Sequence, residues 1–197
     1  MAEPTAAAFL ELVQGRRGHF RLESGHHSEL WLDLDGLFAA PPLVEPFVSR
    51  LIEALRSYNL GAVCGPLLGG AFLAQLLARK LATEFYFTER VEQTPVGGLY
   101  GARYRLPPAL SQSARGKRIA MVDDVMSAGS ALRGTYAELQ EHGAVPVVAG
   151  ALLVLGDAGA GFFARQGLPV EAVARQGYSL WQPAECPLCA RGVPLDR

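Results

Sequence analysis

Arg118-Ile119-Ala120-Met121-Val122-Asp123-Asp124-Val125-Met126-Ser127-Ala128-Gly129-Ser130-Ala131 decides how the rest of the chain is read. An apolar run predicts a buried strand over Arg118–Val122. Two adjacent carboxylates and a run of small residues then predict a turn over Asp123–Gly129. A helix is expected from Ser130 to Glu141, closed by Gly143. A helix start offers unpaired N–H groups and the positive end of a dipole, which suits a phosphate. Ser127, Ala128, Gly129 and Ser130 are small enough to let that phosphate reach the backbone. Asp123 and Asp124 would repel a phosphate beside them but accept hydrogen bonds from paired sugar hydroxyls. Together these features describe a ribose 5-phosphate. No Gly-Lys-Ser/Thr follows, so this is not a Walker loop, and the G-x-G-x-x-G of dinucleotide folds is missing.

Outward from this stretch the chain repeats strand, loop, helix. Ala62–Cys64 reads as a short buried strand, Gly65–Gly70 as a Gly-rich turn and Ala71–Leu81 as a helix. Phe85–Thr88 is the next strand, and Glu89–Leu99, with Pro95, Gly97 and Gly98, reads as a long mobile loop. Arg103–Leu106 returns as a strand. Val145–Leu155 is a third buried strand, and Val170–Ala174 and Tyr178–Trp181 are later ones. Near the beginning a helix spans Thr5–Val13, and strands His19–Leu22 and Leu30–Leu34 flank a turn. Pro41-Pro42 opens a helix to about Ser57 with Leu43, Phe47, Leu51 and Leu55 on one stripe. Unbroken apolar strands alternating with helices predict an α/β fold, a mostly parallel sheet covered on both faces. Ligands of such sheets sit beyond the carboxyl ends of the strands, where both Gly-rich turns fall.

Composition fits one domain of 197 residues, half of them apolar and 19% charged. Eighteen basic against nineteen acidic residues leave a net charge of −1, which excludes a broad nucleic-acid-binding face. The longest apolar run is too short and too interrupted to span a bilayer, and no secretory signal is expected. Cys64, Cys186 and Cys189 cannot make a disulfide framework, which fits a reducing cytoplasm. Only Lys80 and Lys117 are lysines, against sixteen arginines, so proton transfer by lysine has two candidates. Cys186 and Cys189 have zinc-knuckle spacing, yet a tetrahedral site needs four ligands, and neither a second pair nor a nearby His is apparent. No protein-bound metal is therefore expected, unless two subunits pool four thiolates. His26 and His27 point apart on an extended chain and read as polar groups of the N-terminal region, not as ligands.

The quoted stretch resembles the phosphoribosyl-diphosphate (PRPP) signature of the type I phosphoribosyltransferases. From Gly18 to about Leu195 the chain is most similar to the orotate phosphoribosyltransferase family. Gly18-His19-Phe20-Arg21-Leu22-Glu23-Ser24-Gly25-His26-His27-Ser28 resembles that family's N-terminal hood. Gly65-Pro66-Leu67-Leu68-Gly69-Gly70 resembles its pyrophosphate loop, and Phe87-Thr88-Glu89-Arg90 opens its mobile loop. Cys186-Pro187-Leu188-Cys189 with Gly192 and Pro194-Leu195 resembles the C-terminal tail of one branch.

The resemblance implies a type I phosphoribosyltransferase fold in a single domain, with a hood over about residues 1–40. It implies transfer of phosphoribosyl from PRPP to orotate with Mg²⁺ bound mainly through PRPP, in a cytoplasmic homodimer without nucleic-acid or membrane partners. Catalytic roles would fall to Asp123, Asp124 and Arg90. PRPP would be held by these three with Val125, Met126, Ser127, Ala128, Gly129, Ser130, Leu68, Gly69, Gly70 and Arg103. The base would meet Ser24, Phe20 and Asp157. Two departures stand out. The mobile loop usually carries a lysine, and none occurs between Lys80 and Lys117; arginine can neutralise charge but cannot serve as an acid. The family's base-binding arginine follows Asp157, where this chain has Ala158. An unmatched orotate carboxylate would cost about 2–4 kcal/mol unless another arginine, such as Arg21 or Arg165, substitutes. Two further readings follow: a phosphoribosyltransferase for another base, and a PRPP-binding regulator with little turnover.

Overall fold

The unbroken apolar runs lie side by side at the centre of a six-stranded sheet in the computed structural model, which describes residues 4–22, 25–91 and 103–196. β1 (Arg16–Arg21) and β2 (His27–Trp31) come first in the chain, outside that sheet. β3 (Ala62–Pro66) has β4 (Glu84–Val91) and then β5 (Arg103–Arg105) on one side. On its other side are β6 (Arg118–Met126), β7 (Val145–Leu155) and β8 (Val170–Gln176). Neighbours run parallel except β4 and β5. Every residue of β3 is buried, as a sheet covered on both faces requires.

Helices α2 (Pro41–Leu55) and α3 (Gly69–Leu81) cover one face, where Phe47, Leu51, Leu73 and Leu77 meet Val63, Val122 and Leu152. Helices α4 (Pro108–Ala114), α5 (Ser130–Glu141) and α6 (Ala158–Arg165) cover the other, where Leu132, Leu139 and Phe163 meet Cys64, Met121 and Val154. The prolines open α2 as expected. Its stripe is corrected at one position: Leu43 is exposed and Val44 is buried. The inward face centres on Val44, Val48 and Leu51, so Leu43 falls round its edge. Helices α4 and α6 were not expected from the sequence.

The expected turn over Asp123–Gly129 is corrected as well. β6 continues through both acids to Met126, because the long β7 supplies ladder partners that far, Ala151 opposite Asp123 and Val154 opposite Met126. The chain runs from β3 to β4 on one side of β3 and later to β6 on its other side. That reversal opens a crevice between the β3 and β6 loops, the usual ligand position in such sheets.

The N-terminal hood is separate from the large sheet. Helix α1 (Ala6–Leu12) starts at Thr5, whose hydroxyl accepts a hydrogen bond from the Ala8 N–H at 3.2 Å. β1 and β2 form an antiparallel sheet with β9 (Leu180–Trp181), in the order β1-β2-β9. The tail, with α7 (Pro187–Ala190), returns to this hood. The His19 N–H donates to the Asp196 carboxylate at 2.7 Å, and the Asp196 N–H donates to the His19 carbonyl at 2.7 Å. A Cβ on Gly18 would collide with the Asp196 carboxylate, so the close approach depends on glycine.

Candidate active site

The strand order brings two turns that are distant in sequence into contact. Both start helices without a side-chain cap and without an acid in the first turn, α3 after Leu68 and α5 after Gly129. A Cβ on Gly69 would run into the Asp124 carboxylate. One on Gly70 would stand 2.6 Å from Pro66 Cδ and 2.8 Å from Asp123 Oδ1. Only glycine lets the start of α3 press this closely on the acid pair. The Leu67–Leu68 peptide in this turn is cis.

Asp124 is almost wholly buried and Asp123 partly exposed. The Asp124 N–H donates to Asp123 Oδ1 at 3.1 Å, and the Val125 N–H donates to Asp124 Oδ1 at 2.7 Å. Burial pushes the Asp123 carboxyl well above the ordinary aspartate range, and the charge of Asp124 adds to the shift. Burial also raises Asp124, against the hydrogen bond from Val125. A carboxylate pair held this way gains from any cation or hydroxyl donor that comes within reach of its oxygens.

A cavity of about 370 Å³ opens beside Asp123. Its floor is Val125 and the turn Ser127–Ser130 at the start of α5; hood residues Leu30 and Trp31, with Asp33 and Asp35, form its roof. Leu155 and Tyr178 close one side. Gly129 adopts a positive φ of 73°, and a Cβ there would stand 3.2 Å from Gly159 Cα. The Ser130 hydroxyl is buried with no hydrogen-bond partner among the described residues. An orphan donor at an uncapped helix start is the feature that an incoming anion would satisfy.

The structure thus brings together Asp123, Asp124, Val125, Ser127, Ala128, Gly129, Ser130, Gly69 and Gly70. Met126 instead turns into the core, and Leu68 is exposed at the lip of its turn. Arg90 is exposed on β4, two residues beyond Thr88, which pairs with Pro66 at the edge of the Gly-rich turn. Arg103 lies on the adjoining strand and approaches Glu141 at 3.8 Å. Ser24 and residues 92–102 are outside the described residues.

Two residues expected at the base lie off the lining of this cavity. Phe20 is buried with its ring 5.9 Å from that of Trp31, and it is Trp31 that lines the cavity. Asp157 is exposed before α6 and does not line the cavity. Sequence reading missed Trp31, Asp33, Asp35 and Tyr178, because only the folding of the hood over β6 and β7 brings them there. Among the described residues the lining has no arginine or lysine; Arg21 and Arg165 lie elsewhere. Both lysines are committed to carboxylates away from the cavity, Lys80 to Glu45 and Lys117 to Glu84.

The expectation that Cys186 and Cys189 lack a nearby histidine is also corrected. His19 and His27 reach them, with the four ligand atoms within 4.8 Å of one another. The physical reason is the hood's pairing: β1 and β2 set the two imidazoles side by side, and the tail then folds onto them. His27 points inward, contrary to the reading of it as a simple polar group.

A family model described as the phosphoribosyl transferase domain matches residues 42–176. An orotate phosphoribosyltransferase of Carboxydothermus hydrogenoformans is 33% identical over 189 residues, 95% of this chain and 92% of that protein. One of Caldanaerobacter subterraneus subsp. tengcongensis is 28% identical over 193 residues, 98% of this chain and 94% of the relative. In three dimensions the orotate phosphoribosyltransferase of Aeropyrum pernix superposes with a TM-score of 0.67 at 24% identity, over 86% of this chain and 92% of that one, a likeness of fold. The acid pair, the two uncapped helix starts and near full-length similarity agree: the chain belongs to the orotate phosphoribosyltransferase family and is a pentosyl-transferring enzyme with the type I phosphoribosyltransferase fold.

Proposed function

We propose that the chain, hood and tail included, works as one domain that transfers phosphoribosyl from PRPP to orotate, releasing orotidine 5′-phosphate and pyrophosphate in pyrimidine biosynthesis. The observation that carries this reading is the meeting of the Gly69-Gly70 turn with Asp123 and Asp124 beside the uncapped start of α5. The turn Ser127–Ser130 holds the 5-phosphate, with the Ser130 hydroxyl as an added donor. Asp123 and Asp124 accept hydrogen bonds from the ribose hydroxyls. Leu68, Gly69 and Gly70 present the start of α3 to the pyrophosphate, with Arg90 and Arg103 on the adjoining strands.

Mg²⁺ bound with PRPP would supply charge neutralisation of the departing pyrophosphate, and Asp123 and Asp124 would be the carboxylates facing that complex. As the bond to pyrophosphate breaks, positive charge grows on the sugar, and the fixed carboxylates stabilise it without reorganising. The base lies under the hood against Trp31 and Tyr178, which orient it for attack on the exposed face of the sugar. No lysine of this chain stands at the site, so the residues described act by orientation and electrostatics. Three cysteines without a disulfide between them suit the cytoplasm, no helix among the described residues is long and apolar enough to cross a membrane, and we propose a homodimer as the working form.

The acceptor is the property to measure, because Ala158 and a cavity lining without arginine or lysine favour a second reading, transfer to a less acidic base. Pyrophosphate release from Mg-PRPP is compared across orotate, uracil, cytosine, adenine and hypoxanthine. The proposal expects orotate to give the highest kcat/KM. A preference for any other base ends the orotate assignment, and release with none of them ends the assignment as an enzyme.

A further inference from the structure

Away from the cavity, four soft or borderline ligand atoms converge where the hood meets the tail. His19 Nε2 lies 3.1 Å from His27 Nδ1, 3.4 Å from Cys186 Sγ and 3.7 Å from Cys189 Sγ. Cys189 Sγ lies 3.3 Å from His27 Nδ1. With zinc–nitrogen bonds near 2.0–2.1 Å and zinc–sulfur bonds near 2.3 Å, a tetrahedron requires about 3.3 Å between nitrogens and about 3.5 Å between nitrogen and sulfur. Four of the six separations are thus close to those a tetrahedral ion would set, and all six lie within 4.8 Å.

The surroundings support the same conclusion. The other ring nitrogen of His19, Nδ1, bonds the Val193 carbonyl at 2.8 Å, so it carries the proton and leaves the Nε2 lone pair facing the cluster. That is the outer support metal-bound imidazoles use. His19, His27 and Cys186 are buried, and Cys189 is exposed, which leaves an entry side. Burying two imidazoles and a thiol together gains little from their mutual hydrogen bonds, whereas an ion satisfies every lone pair at once.

We propose that His19, His27, Cys186 and Cys189 bind one Zn²⁺ ion as a Cys₂His₂ structural site that locks the C-terminal tail onto the hood. Neither the family match nor the proposed reaction requires this site, and it stands or falls independently of both. β2 carries His27 at one end and Leu30 and Trp31, which line the cavity, at the other. The ion therefore fixes the strand that roofs the base site, without touching substrate.

The full-length chain, purified untagged under reducing conditions without chelator, is analysed for bound metal. About one zinc per chain is expected, and cobalt replacing it should give the intense visible bands of a tetrahedral thiolate site. Cys189→Ser and His27→Gln should each lose most of the zinc, while His26→Gln, altered at the adjacent residue, should retain it. Removing the metal from the wild-type chain should lower Tm by roughly 5 °C, restored by added zinc. If a variant fails to fold, the wild-type stoichiometry and cobalt spectrum still decide. Wild-type protein without zinc, with both thiols open to titration and no cobalt spectrum, overturns the proposal. So does a Cys186–Cys189 disulfide found in place of metal, or zinc retained in full by folded Cys189→Ser and His27→Gln.

Discussion

Asp123 and Asp124 sit where a carboxylate is costly for the free protein, within β6 and pressed by the start of α3, Asp124 almost wholly buried. A folded-state pKa above the unfolded value means that the native chain holds protons the unfolded chain has released. Stability from this source is present in full below the unfolded aspartate pKa of about 3.9, and is lost as pH rises through the folded value. On the proposed reading PRPP binding works in the opposite sense, because its hydroxyl donors and Mg²⁺ would favour the ionised pair. Asp123→Asn is therefore expected to raise the Tm of the ligand-free protein at neutral pH and flatten its fall with rising pH. Asp124→Asn is expected to weaken PRPP use at least about tenfold, through loss of charge-assisted hydrogen bonds, while the protein remains folded. Thermal melts across pH and initial rates against PRPP test both; wild-type kinetics in Asp124→Asn would remove the acid pair from the mechanism.

At the scale of single elements, α5 begins in a way that suits a ligand. Its first turn has no capping side chain and no acid, Gly129 takes a left-handed conformation, and the Ser130 hydroxyl is buried without a partner among the described residues. An unmade buried hydrogen bond costs about 1–3 kcal/mol, so the free helix is less stable than the same helix without the hydroxyl. Ser130→Ala should accordingly leave the Tm of the free protein unchanged or higher, yet raise the KM for PRPP about three- to tenfold through the lost donor. A destabilised variant with an unchanged KM would mean that the hydroxyl serves packing and not the phosphate. Near the far end of the same helix an acid is tied down: Glu138 accepts from the Leu106 N–H at 2.8 Å and lies 3.0 Å from His142 Nε2. Polar satisfaction at one end and an open start at the other divide α5 between anchoring and binding.

Across the whole molecule, the hood is held both by its strands and by a tail that arrives from the other end of the chain. Deleting residues 183–197 removes the Asp196 bonds to His19 and both cysteines. That truncation is expected to lower Tm and to raise the KM for the base more than the KM for PRPP, since Leu30 and Trp31 roof the cavity while the phosphate turn belongs to the large sheet. Equal effects on both constants would separate the tail from the base site. The same division explains what could be read in advance. The apolar runs of β6 and β7, helix α5 and the Ser127–Ser130 turn are patterns of contiguous residues, so periodicity and the Ser-Ala-Gly-Ser start marked them. Local pattern could not tell that β6 runs on through the acids, because that depends on the length of β7 beside it. Trp31 and Tyr178 as cavity walls, and His19 and His27 beside the cysteines, were likewise out of reach of any short window.

By itself the amino-acid order determined an alternating strand–helix chain, a helix start of small residues behind two acids, and a lysine-poor chain, since each of these is a property of contiguous residues or of composition. Only the tertiary structure decided which turn faces those acids, what roofs the cavity beside them and which imidazoles meet the tail's thiols. Those contacts are set by the order of strands in the sheet and by the close packing of hood against tail, and packing joins residues by shape and burial, whatever their separation along the chain.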